Sequence, residues 1–147
     1  MNNFEQETYL WIKDFVIKND LCPFASEPFH KNELSFKTLD SFSQIDFQSI
    51  QNNQFLIFPQ VKNNFEVFYS EVSNLYHQDF HFIAFHPQFC FEGLEQNETA
   101  NLVNQSPFPM IHIIEAKQMD QARLTIKQGE NISLKNEEKL KKLFQES

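Results

Sequence analysis

Over residues 4–19 the apolar positions recur at helical spacing. Phe4, Thr8, Trp11, Ile12 and Phe15 share one face, while Glu5, Lys13, Asp14 and Lys18 lie elsewhere. That spacing predicts a helix ending near Asp20, because Pro23 cannot continue it and disfavours helix at Cys22. LSFKTL (34–39) and QFLIFP (54–59) read as strands, with a weak helix between them at 43–51. A clearer helix follows, in which Phe65, Phe68, Tyr69, Val72, Leu75 and Tyr76 recur at helical spacing. Asn63 and Glu66 stand at capping-box separation in front of it. FHFIAFH (80–86) is a strand apolar on both faces, which predicts a central place in the sheet. PMIHIIEA (109–116) is a fourth strand, and two helices, at about 119–127 and 136–145, complete the pattern.

This order predicts an α/β chain, with 1–147 as a single domain. The economical architecture is a two-layer α/β sandwich on a mixed sheet of about four strands, an order compatible with a ferredoxin-like arrangement. The strand–helix–strand unit at 54–86 should be a parallel crossover. Between the last two strands lies a long irregular segment. Such segments are functional or disordered, and Phe89, Phe91, Phe108 and its prolines mark this one as ordered.

Composition narrows the function classes. Eighteen Phe against two Gly predict a phenylalanine core, and Gly93 and Gly129 alone cannot write a glycine-rich phosphate loop. The formal charge is −8, and the one basic cluster is the tail LKNEEKLKKLF, so nucleic acid is not an expected partner. No apolar run is long enough to span a membrane, and no secretory signal is visible, so two reduced cysteines in a cytoplasm are expected. No motif names a cofactor.

Three motifs stand out in order: LCPFA (21–25) after Trp11 and Val16, FHPQFCFEG (85–93), and NLVNQSPFPMIHII (101–114). With the later NISLKNEEKL, this set resembles the domain-of-unknown-function 1415 family of bacterial proteins. The resemblance covers nearly the whole chain. It implies family membership and no assigned activity. Two positions depart from the family's usual pattern: Gln105 and Glu115 stand where arginines are expected. If those arginines hold an anion in relatives, this chain has lost both.

The reactive side chains of these motifs suggest one aromatic-walled pocket where the three segments converge, taking a small-molecule ligand. Cys22, His86 and His112 are the candidate catalytic groups, a thiol with an imidazole base. The expected end of a helix before Cys22 weighs against a thiolate there. Asn101, Asn104, Ser106 and Glu92 are candidate ligand-binding residues. The first three could instead satisfy the ring nitrogens of a buried His112. On that view His112→Ala is structural, and His86→Ala, beside Pro87 at a strand end, is nearly neutral for stability. Two alternatives use the same residues differently. One is a metal site built from His86, His112 and a thiolate of Cys22 or Cys90. The other is a non-catalytic protein-interaction module presenting the Phe-rich surface.

Overall fold

The computed structural model of the protein describes residues 1–19, 21, 23–95 and 99–125. Helix α1 (Asn3–Trp11) begins at Asn2, whose side chain accepts the Glu5 amide, and runs on into a π-helical segment, Ile12–Ile17. Wider i→i+5 bonds mark its end: Lys18 N donates to Lys13 O and Leu21 N to Val16 O. Helix α2 (Pro23–His30) comes directly after it. Pro23 therefore opens a helix as well as barring the previous one from continuing, a position where its missing N–H costs nothing.

Four strands form one sheet: β1 (Ser35–Thr38), β2 (Gln54–Ile57), β3 (Phe80–Phe85) and β4 (Met110–Glu115). Their order is β1-β2-β4-β3. β1 is parallel to β2, and β4 is antiparallel to both β2 and β3. β2 and β3 therefore run in the same direction, joined through helix α3 (Phe65–Ser73), with β4 between them. This is the split β-α-β unit of ferredoxin-like sheets. The second such unit of a ferredoxin-like chain is not built among the described residues. Instead β1, from the other side of the sequence, lies beside β2 and parallel to it.

The expected class is what the chain forms: a single-domain α/β fold with a mixed four-stranded sheet. The layering is fuller than a two-layer sandwich. Phe55, Ile57, Phe85 and Met110 on one face meet Phe4, Trp11 and Ile12 of the N-terminal helix. Leu56, Ala84, Ile111 and Ile113 on the other face meet Phe68 and Val72 of α3. β3 is an edge strand, not a central one. Its apolar residues on both faces answer to helices above and below the sheet, which the pattern alone cannot separate from a central position.

Smaller shifts have local causes. The cap of α3 is Asn64, whose side chain accepts the Val67 amide, one residue beyond the Asn63 expected. Asn63 instead bonds Glu71 through its side chain. The weak helix at 43–51 reduces to a 3₁₀ turn at Phe42–Gln44. Helix α4 (Ala116–Thr125) begins three residues before the expected 119. The helix expected at 136–145 lies outside the described residues. Among the described residues no helix is long and apolar enough to cross a membrane.

Candidate functional site

The carboxyl ends of β2 and β3 and the start of β4 lie at one edge of the sheet. Ligand clefts of α/β sheets favour such edges. β3 stops there because Pro87 has no N–H to continue a ladder. Residues 86–95, just past the strand, have no regular structure, yet side chains hold their backbone at several points.

His86 is the first of these. It is buried on the α3 face, with ring centroids 5.9 Å from Phe65 and 5.5 Å from Phe68. Its backbone N–H donates to the Asn104 carbonyl at 3.1 Å. Its Nδ1 accepts the Gln88 amide at 3.0 Å, and its Nε2 lies 3.0 Å from the Asn63 carbonyl. This network assigns a neutral ring protonated on Nε2. Burial lowers its pKa, and the bond to the Asn63 carbonyl works in the opposite direction.

Asn101 is the second support. It is fully buried, in a 3₁₀ stretch spanning Thr99–Asn104. Its Oδ1 accepts the Phe91 amide at 2.8 Å, and its Nδ2 donates to the Glu95 carbonyl at 2.8 Å. Gln105 Nε2 donates to the Phe89 carbonyl at 3.0 Å, and Asn104 Nδ2 to the Ala84 carbonyl at 3.2 Å. Ser106 turns inward on its own segment and donates to the Phe108 carbonyl at 2.6 Å. The Cys90 thiol is half-buried and donates to the Leu94 carbonyl at 3.1 Å. Gly93 turns the loop at φ +82°, a conformation side chains disfavour.

The loop held in this way forms one wall of a cleft of about 450 Å³. The other wall is the start of α3, residues 64–66. Glu92, a candidate from the sequence, lines the cleft beside Cys90 and Phe91, and Phe91 is 38% exposed. Gln88, Phe65 and Glu66 also line it, and sequence reasoning passed over them as site residues. The one signal at Glu66 was its spacing from a helix cap.

His112 is elsewhere. It pairs in register with Phe55 and Ile83 and stacks on the Phe55 ring at 4.2 Å, on the face covered by α1. His86 faces α3, so the two imidazoles lie on opposite sides of the sheet. This corrects the single-pocket expectation and the metal site shared by both histidines, since one ion cannot reach both rings. Among the described residues no three His, Cys, Asp or Glu side chains are grouped to hold a metal. Asn101, Asn104 and Ser106 bond backbone of the loop, of Ala84 in β3 and of Phe108, and none reaches His112 Nε2. His112 Nε2 is buried without a hydrogen-bond partner, and burial lowers the ring's pKa to about 3.

The first motif does reach the third. Leu21 and Val16 pack with Leu102 and Val103. Cys22 itself lies outside the described residues. The π-helical segment leading into this motif is a rare form concentrated at functional sites. Nothing in the residue pattern marked it.

A model of the family described as protein of unknown function (DUF1415) matches residues 3–147. The chain belongs to this family. No curated protein and no solved structure matches it. Gln105 and Glu115, where the sequence reading expected arginines, fall in different places. Gln105 supports the loop through Phe89, whereas Glu115 ends β4 at the opposite end of the strand and is exposed. Residues at these two positions do not converge on one ligand.

Proposed function

We propose that the protein binds a small molecule in the cleft between residues 64–66 and the loop 88–94. The observation that carries this reading is the support of that loop. An irregular segment is fixed by buried side chains bonded to its backbone, chiefly both ends of the Asn101 amide and Nδ1 of His86, whose Nε2 anchors the ring to the Asn63 carbonyl before α3. Fixing a loop before binding reduces the ordering cost at the moment of binding. On this reading His86, Asn101 and Asn104 are positioning residues, and Glu92 with Gln88 and Phe91 meets the ligand.

At Cys90 the geometry favours binding over thiol catalysis. Both His86 nitrogens are engaged with backbone, so the ring cannot act as a base without releasing the loop. The bonds made by Cys90 Sγ are to two carbonyls and the Asn101 amide.

A fragment screen by amide NMR on the full chain tests the site. Binders are expected to shift the resonances of residues 64–66 and 88–94 as one set. Shifts confined to the separate cleft lined by Tyr76, His77, His81 and Asp120 would relocate the site and end this reading.

A further inference from the structure

The cleft also carries a charge signature. Glu66 and Glu92 both line it and both are exposed, and among the described residues no Lys, Arg or His side chain does so. Phe65, Phe91 and Leu94 supply the apolar part of the lining. The chain as a whole has a formal charge of −8, so the wider field has the same sign. The start of α3 does not reverse it. Asn64 already occupies one of the free amides there, and Glu66 sits in the first turn, where its charge answers the helix dipole.

From this complementarity we infer that the ligand is a small organic cation, a protonated amine carried on an apolar body. Resting on the cleft reading above, the inference adds the chemical class. The ammonium group is attracted by two carboxylates and by the negative faces of aromatic rings. The body covers Phe91 and Leu94, which otherwise remain partly in water. An anionic ligand of the same shape would bring a third negative charge to the two carboxylates already present, and like-charge contact of this kind excludes wrong partners.

The test uses the full chain and three probes with one skeleton: phenethylamine, 2-phenylethanol and phenylacetate, titrated at neutral pH with amide NMR detection. Phenethylamine is expected to shift Gln88, Phe91, Glu92, Gly93 and Leu94, and to bind at least about tenfold more tightly than either other probe. In the double variant Glu66→Gln, Glu92→Gln this preference for the amine over the alcohol is expected to fall by about tenfold. Both glutamates are exposed, so the variant keeps the fold, and its unchanged amide spectrum away from the cleft verifies that. Equal or tighter binding of phenylacetate at these residues overturns the cation inference and leaves the cleft reading standing. An amine preference that survives in the double variant also overturns the inference. So does the absence of any shift at these residues with phenethylamine. In that last case the fragment screen decides separately whether the cleft binds anything else.

Discussion

His86→Ala is expected to destabilise the fold by about 3 kcal/mol, the sum of a truncated buried side chain and two ring hydrogen bonds. The variant leaves the Gln88 amide and the Asn63 carbonyl without their partner and opens space beside Phe65 and Phe68. The urea midpoint reads the loss, with the slope of the transition unchanged. A loss below about 1 kcal/mol, within the range of an ordinary surface change, would show that the ring is not a support of the loop. The residue pattern suggested the opposite, a nearly neutral substitution at a strand end. It could not show that the ring folds back under α3 to a carbonyl 23 residues earlier in the chain.

The second large effect is a dependence of stability on pH that belongs to His112. The folded ring has a pKa of about 3, against an ordinary value of 6.5. The unfolded chain therefore takes up a proton more readily. Stability from the neutral ring is fully present above about pH 6.5 and is lost as pH falls towards 3, by up to about 1.4 kcal/mol per pH unit. His86, also lowered by burial, adds in the same direction. His112→Phe removes the titrating group and the buried Nε2 that lacks a partner, and keeps a flat ring against Phe55. At pH 7 the variant should match the unaltered protein to within about 1 kcal/mol, because relief of the unpaired nitrogen offsets slight overpacking. At pH 5 it should be the more stable by about 2 kcal/mol. Urea midpoints of both proteins across this range are the measurement. Parallel pH profiles would mean that His112 is not buried as a neutral ring.

Much of the fold was legible because period alone decides element type. The spacing from Phe65 to Val72 identified α3, and the short apolar runs identified β2, β3 and β4. Element order went further, to a mixed sheet in which β2 and β3 run in the same direction. What the pattern could not separate was apolar residues facing a second helix layer from apolar residues of a central strand, as at Phe82 and Phe85. α2 was missed because Pro23 read only as the stop of the preceding helix, although it stands where proline suits a helix start. For the site, the residues read from the motifs take other places than expected. Side chains with the most versatile chemistry, His86 and Asn101, face inward and hold backbone. Of the cleft lining, Phe91 and Glu92 fall within a motif, whereas Phe65 and Glu66 at the start of α3 carry no motif-level signal. Long-range side chain–backbone bonds have no period, so residue spacing cannot reveal them.

The claim that this loop is held ready for a ligand is tested most directly by hydrogen exchange at the Phe91 amide. The residue lies in an irregular, partly exposed loop, where an unbonded amide would exchange quickly. Its N–H donates to the fully buried Asn101 Oδ1 at 2.8 Å. The account predicts slow exchange at Phe91 in the unaltered protein. In Asn101→Ala it predicts acceleration there by at least about tenfold, with the protection of Ile111 and Ile113 in β4 retained. Fast exchange at Phe91 in the unaltered protein, or the same slow rate after Asn101→Ala, would contradict it.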